Sequence, residues 1–161
     1  MQFDEISKFL ELKSKIPSTI VEGKEVLLVK AEDWAQIAEI LKNDAKLDFN
    51  YLMCISSYDK GDGIIYGAAY NLYSTKHNHY LEVRVEVADS IKVPSVVRLW
   101  RTADWHEREA YDMMGIQFEG HPDLKRILLS DDWDGYPLRK NYKEPDYYHG
   151  MPVPKDKSYW E

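Results

Sequence analysis

The side chains able to do chemistry are densest in one run, Trp105-His106-Glu107-Arg108-Glu109-Ala110-Tyr111-Asp112-Met113-Met114-Gly115. Glu107 and Glu109 are the residue type that acid–base catalysis uses in pairs. Residues two apart on a helix point to different faces, however, so these two do not make a working pair. Asp104 stands where it would cap a helix whose third residue is Glu107, an arrangement worth about 1 kcal/mol, and Gly115 stands where a left-handed terminating residue is wanted. Arg108 and Asp112, four apart, are placed to pair, at about 0.3–0.5 kcal/mol if solvated. The run therefore reads as a short, well-delimited helix with structural roles for its charges.

The other reactive residues are thinly supported. Gly120 and Pro122 fix the backbone around His121, which suits a histidine held for contact or for chemistry, but no Ser or Cys nucleophile is set beside it. His77 and His79 could present two imidazoles on one strand face; two ligands without a third make a poor metal site, and a hairpin loop favours plain solvent exposure. Asp131-Asp132-Trp133-Asp134-Gly135 is acidic like a calcium loop yet lacks its alternate spacing and closing glutamate, so it reads as a turn. Gly61 and Gly63 fall in a hairpin rather than between a strand and a helix, which excludes a phosphate-binding loop. Cys54 has no second cysteine to join it in a disulfide or a cluster, and a buried thiol in a cytoplasmic compartment fits. No residue is assigned as catalytic, cofactor-binding or metal-ligating.

The elements that must position these residues follow from periodicity. Phe3, Ile6, Phe9, Leu10 and Leu12 follow an amphipathic helix that Pro17 stops. Glu25 to Val29 is a buried strand, and Trp34, Ile37, Ala38 and Leu41 mark a helix ending at Asn43-Asp44. Phe49 to Ile55 and Ile64 to Tyr73 form a hairpin across the turn 59–63. From His79 to Val87 alternation is strict, with Leu81, Val83, Val85 and Val87 on a buried face and Glu82, Arg84 and Glu86 on a wet one. The expected fold is α+β, a mainly antiparallel sheet with helices packed on one face, followed by an extended C-terminal segment. We divide the chain into an α+β domain, 1–118, and a partner-binding segment, 119–161, where five of the seven prolines fall (Pro122, Pro137, Pro145, Pro152, Pro154) together with Trp133, Tyr136, Tyr142, Tyr147, Tyr148, Tyr159 and Trp160.

Charge and hydropathy exclude several classes. With 21 basic and 28 acidic residues, a net charge of −7 offers nothing to a phosphate backbone, so nucleic acid is not an expected partner. The longest apolar runs, such as Glu25 to Val29, are far short of the roughly 20 residues that span a bilayer. Asp4, Glu5, Lys8, Glu11 and Lys13 interrupt the N-terminal apolar residues and argue against a signal or transit peptide.

Read together, Glu107-Arg108-Glu109, Asp112, Gly115-Ile116, Gly120-His121-Pro122-Asp123-Leu124, Arg126-Ile127-Leu128, Asp132-Trp133, Gly135 and Pro137-Leu138-Arg139-Lys140 closely resemble the signature of the C subunit, the 30-kDa-type subunit, of NADH:quinone oxidoreductase, respiratory complex I. The block covers roughly residues 104–142, and it departs from the usual pattern at Met114, Lys125, Tyr136 and Asn141, where the family often has Phe, Arg, His and Asp. The resemblance implies a non-catalytic peripheral-arm subunit without flavin or iron–sulfur cluster of its own. Its complex would hold NADH, FMN, iron–sulfur clusters and quinone. It implies packing against the D subunit, which helps form the quinone site, and against the B and I subunits. It implies a peripheral place on the cytoplasmic side of a bacterial cell membrane, reached only through the complex, and a soluble, inactive chain when expressed alone. On this reading the candidate interface residues are Glu107, Arg108, Glu109, Asp112, Gly115, Gly120, His121, Pro122, Asp123, Arg126, Gly135, Pro137, Arg139 and Lys140. Arg126 and Arg139 would make forked contacts to carboxylates, either across an interface or locally to Asp112 or Asp123. Two other readings stand beside this one: the equivalent subunit of a membrane-bound hydrogenase or other complex I-like oxidoreductase, and an independent soluble enzyme using His121 and a nearby carboxylate.

Overall fold

The computed structural model describes residues 1–17, 19–21, 23–61 and 63–153; Pro154, Tyr159 and Trp160 of the aromatic tail lie outside the described residues. The first helix, α1 (Phe3–Ser14), buries Phe3, Ile6, Ser7, Leu10 and Ser14, one face at helical spacing. Its entry is closed by the Glu5 carboxylate, which accepts the Gln2 N–H at 3.0 Å. It ends at Lys15, whose left-handed backbone (φ 60°) lets its N–H reach the Glu11 carbonyl two residues ahead of Pro17.

Strand β1 (Thr19–Ile20) pairs antiparallel with β2 (Val26–Val29), and helix α2 (Ala31–Asn43) follows with Trp34, Ile37, Ala38 and Leu41 buried, as their spacing requires. The hairpin is β3 (Tyr51–Asp59) and β4 (Ile65–Ser74), and β5 (His79–Ala88) pairs antiparallel with β4. The strand order is β1-β2-β5-β4-β3, with β2 parallel to β5. The sheet is thus mixed: α2 and the hairpin intervene between β2 and β5, and a helical crossover returns the chain in parallel.

Leu81, Val83, Val85 and Val87 point into a single apolar cluster with Tyr66, Ala68, Tyr70 and Leu72 of β4, and all three helices contribute to it. The opposite face of β5 is drier than its sequence predicts. Glu82, Arg84 and Glu86 are only partly exposed, because Arg84 pairs with Glu82 at 2.7 Å while Lys60 and the Tyr58 hydroxyl bond Glu86 at 2.6 and 3.1 Å. Tyr58 lies against Gly67, where an added Cβ would come within 2.2 Å of the ring.

Beyond the sheet, β6 (Val93–Pro94) pairs in parallel with β7 (Phe118–Glu119), and helix α3 (Ala103–Met114) runs between them and packs on β3. Between residues 120 and 153 the chain is irregular apart from the ribbon β8 (Tyr147–Tyr148) and β9 (Met151–Pro152). Among the described residues no helix is long and apolar enough to cross a membrane.

Candidate functional site

Helix α3 starts earlier than its cap pattern predicts. The helix follows Thr102, already helical (φ −63°, ψ −24°), and has no side-chain cap. The preceding turn supplies acceptors instead: the Ala103 and Asp104 N–H groups donate to the Trp100 and Arg101 carbonyls at 3.0 and 3.3 Å. That turn is fixed by Trp100, whose indole N–H donates to the Phe49 carbonyl at 2.8 Å. The expected capping box of Asp104 and Glu107 is therefore not formed, and both side chains do something else.

Glu107 is 0 % exposed. Its carboxylate accepts the Ser95 hydroxyl at 2.6 Å and the Val96 N–H at 2.8 Å, which fastens α3 to the chain just after β6. Burial pushes its pKa up to about 7; the Ser95 and Val96 hydrogen bonds oppose the rise and the nearby Asp104 charge adds to it. The Tyr70 phenol is held well above its ordinary value, first by burial and then by the Glu107 charge. A buried acid at this seam is a structural group, and Glu109, by contrast, is exposed.

Asp112 is the second fully buried acid of α3. Its Oδ2 accepts three successive backbone N–H groups, of Ile127, Leu128 and Leu129, at 3.0, 2.7 and 2.9 Å, and its Oδ1 accepts the Arg126 guanidinium at 2.7 Å. Burial alone would raise its pKa; the Leu129 and Ile127 amides, the Arg126 side chain and the Leu128 amide outweigh it, and the carboxyl sits below its ordinary range. Arg126 spends its other donors on the Asp112, Trp133 and Gly135 carbonyls. The contact expected between Arg108 and Asp112 is absent: Arg108 donates to the Lys125 and Arg126 carbonyls at 3.3 and 3.1 Å. Asp112 is fully occupied by the 126–129 loop, which a solvated helix pair could not compete with.

The rest of the signature continues this fastening. The Asp123 N–H donates to His121 Nδ1 at 3.1 Å, which puts the ring proton on Nε2, 3.3 Å from both the carbonyl and the carboxylate of Asp104. Arg139 lies between the rings of Tyr66 and Tyr136, 4.2 and 4.5 Å from their centroids, and bonds the Met114 carbonyl and Asp89. Gly115, at φ 74°, ends α3 where a Cβ would come within 2.5 Å of Tyr136 and 2.6 Å of Arg139. The Lys140 N–H donates to Asp59 Oδ2 at 2.9 Å, and the Leu138 N–H to the Met113 carbonyl at 3.1 Å. Gly120, Pro122, Asp123 and Lys140 are exposed, and Pro137 is half-buried. The candidate residues thus gather into one device: Asp112, Arg108, Arg126, His121 and Arg139 strap residues 119–142 along α3.

The carboxylates that sequence reasoning linked to the arginines were Asp112 and Asp123; Asp112 is the partner of Arg126, whereas Arg139 pairs with Asp89, 50 residues away. Ser95, Asp59 and Asp89 were missed, since nothing local marks a polar residue that is paired across the fold. His79 is buried rather than solvent-exposed: its Nε2 lies 2.7 Å from the Leu47 carbonyl, and that of the adjacent His77 lies 2.9 Å from the Ala45 carbonyl. Among the described residues no group of three or more metal-ligating side chains occurs. On and around the strap, Trp105, Leu128, Leu138, Tyr147 and Met151 are all more than half exposed, among exposed charges that include Asp123, Lys125, Asp131, Asp132, Asp134 and Lys140. Such a surface is fit for contact with another chain.

Residues 27–148 match the family described as "Respiratory-chain NADH dehydrogenase, 30 Kd subunit". The chain is 53% identical over 123 residues to the C subunit of the NADH-quinone oxidoreductase of Chloroherpeton thalassium; the match covers 75% of this chain and 51% of that protein, about half its length. It is 45% identical over 129 residues to the subunit of the same name in Chlorobium phaeobacteroides, covering 79% and 78% of the two chains. The J subunit of the NAD(P)H-quinone oxidoreductase of Prochlorococcus marinus is 41% identical over 134 residues, covering 78% and 76%. The same fold occurs in the membrane-bound sulfane sulfur reductase, an archaeal respiratory membrane complex, with a TM-score of 0.71 at 22% identity over 87% of this chain and 85% of that one.

Proposed function

The chain belongs to the family of 30 kDa subunits of respiratory-chain NADH dehydrogenase, and on that premise we propose that it is a cofactor-free peripheral-arm subunit of a proton-pumping NADH:quinone oxidoreductase. It supports assembly beside the D subunit at the quinone site, with the B and I subunits as further neighbours, on the cytoplasmic side of a bacterial cell membrane. Residues 1–118 form the α+β domain and residues 119–161 the partner-binding segment. NADH oxidation, the FMN and iron–sulfur relay and quinone reduction belong to the neighbouring chains, and this chain is non-catalytic.

The observation that carries this reading is the strap itself. Buried Asp112 and the largely buried Arg126 fasten an irregular segment through several hydrogen bonds while its Leu128 and Leu138 stay exposed, so less conformational entropy remains to be lost when a partner covers them. Affinity purification through a tag on this chain tests it: the other subunits of the oxidoreductase are expected to co-purify stoichiometrically, with NADH:quinone activity in the complex and none in the chain alone. Absorption spectra and metal analysis of the chain alone are expected to show no flavin and no iron. One equivalent of bound iron, or recovery of an active free chain, would reject the reading.

A further inference from the structure

Arg84, Arg108, Arg126 and Arg139 are the arginines that are partly or largely buried, and all but one have a carboxylate at ion-pair distance. Arg108 is the exception. Its Nε and one terminal nitrogen donate to the Lys125 and Arg126 carbonyls, and its guanidinium carbon lies 5.4 Å from the centre of the Trp105 ring. Asp123 is close enough to feel its charge, yet Asp123 is held by Lys125 at 2.7 Å. A partly buried guanidinium with a donor edge still to satisfy is matched best by a carboxylate, which it grips through two parallel hydrogen bonds.

The surroundings fit an interface. Trp105 and Arg108 are three apart on α3, on one face, and the strap places Leu128 beside the next turn by donating its N–H to Asp112. Trp105 and Leu128 are 62% and 63% exposed. A tryptophan and an arginine in contact is the composition in which binding energy concentrates, and Leu128 adds exposed apolar area beside the same helix, further along it. Arg98 and Arg101, exposed in the turn before α3, add positive charge at its start, against a chain of net charge −7.

We propose that Trp105, Arg108 and Leu128 form a docking patch for a carboxylate-bearing segment of a neighbouring subunit, the acid pairing with Arg108 while apolar residues beside it cover Trp105 and Leu128. This rests on the proposed function and deepens it, because it says which face of the strap is gripped and by what chemistry.

The test uses cells that make the whole complex. A photo-cross-linking benzoylphenylalanine replaces Trp105, and the captured peptide is sequenced. Trp105→Ala, Leu128→Ser and Arg108→Gln are then compared with wild type for recovery in the assembled complex and for thermal unfolding of the purified full chain. The captured peptide is expected to come from another subunit and to contain Asp or Glu. Trp105→Ala and Arg108→Gln are expected to reduce recovery by about 10-fold or more, the size that central interface residues show. Trp105→Ala should leave the unfolding midpoint unchanged, so loss of fold cannot explain its effect; charge reversal of the captured acid to Lys should be rescued in part by Arg108→Glu. A cross-link to no other chain, a captured segment without an acidic residue, or wild-type recovery of Trp105→Ala and Leu128→Ser would each overturn the patch. If wild-type chain itself fails to enter the complex, it is the proposed function that fails.

Discussion

At the scale of single residues, the two buried acids of α3 have opposite consequences for stability. Glu107 has a folded pKa near 7 against an ordinary 4.5, so the folded protein holds a proton that the unfolded chain releases. Its contribution is complete below about pH 4.5 and is lost as the pH rises to 7, at no more than about 1.4 kcal/mol per pH unit. Glu107→Gln keeps a carbonyl for the Val96 N–H and removes the titration, so its unfolding midpoint should exceed wild type at pH 8 and lose that advantage at pH 5. A wild-type midpoint that is flat between pH 5 and 7, or a Gln variant with the same slope, would show that Glu107 is ionised throughout. For Asp112 the folded pKa is depressed, so its contribution is present above the ordinary value of 3.8 and vanishes as the pH falls below it. Asp112→Asn leaves the largely buried Arg126 without its counter-charge and is expected to cost roughly 3 kcal/mol at pH 7, measured by chemical denaturation.

At the scale of elements, the helices and central strands were legible because burial writes itself as periodicity. Leu81, Val83, Val85 and Val87 on β5, and Trp34, Ile37, Ala38 and Leu41 on α2, are buried at the expected period. The strap left no such trace. Residues 120–142 hold together through Arg126, Asp112, His121 and Arg139, a polar framework with no repeat, and the resemblance to a family marked those residues without disclosing what they bind. The cap of α3 was misplaced because a tertiary contact, Trp100 to Phe49, sets the turn before it. Tertiary contacts also separate Arg126 and Arg139, which look alike in the sequence. Arg126 is an internal strut, and Arg126→Glu places a second negative charge against the buried Asp112, so folding fails before assembly can be affected, with an expected loss of about 3–5 kcal/mol. Arg139 pairs with a largely exposed Asp89, and that ion pair contributes at most about 1 kcal/mol. Arg139→Lys should therefore cost little through charge; what it loses is the flat guanidinium between Tyr66 and Tyr136. A thermal melt that ranks Arg139→Lys as damaging as Arg126→Glu would contradict this ordering.

At the scale of the whole molecule, stability is unevenly distributed between a cluster shared by sheet and helices and a segment that adds little to it. Leu124 is the one apolar residue after Phe118 that packs against that cluster among the described residues. Further along, Tyr148 is held by hydrogen bonds to Ser130 and Asp132, at 2.5 and 3.1 Å, and by contact with the Trp133 ring, while Tyr147 and Met151 of the terminal ribbon are exposed. A segment fastened by a few solvent-reached hydrogen bonds opens at a small fraction of the global unfolding free energy, and proteases find such openings. Limited proteolysis of the purified chain should therefore cut first within residues 143–153, while the sheet and α3 remain intact. Hydrogen exchange should follow the same order, fast at Tyr147 and Met151 and slow at Val83 and Val85. In the assembled complex the same bonds should resist cleavage under identical conditions, since a partner that covers Tyr147 and Met151 removes the opening. Equal cleavage rates in free and assembled states would mean that these aromatic and apolar side chains are not buried by a neighbour, and residues 143–153 would then have to be removed from the partner-binding segment.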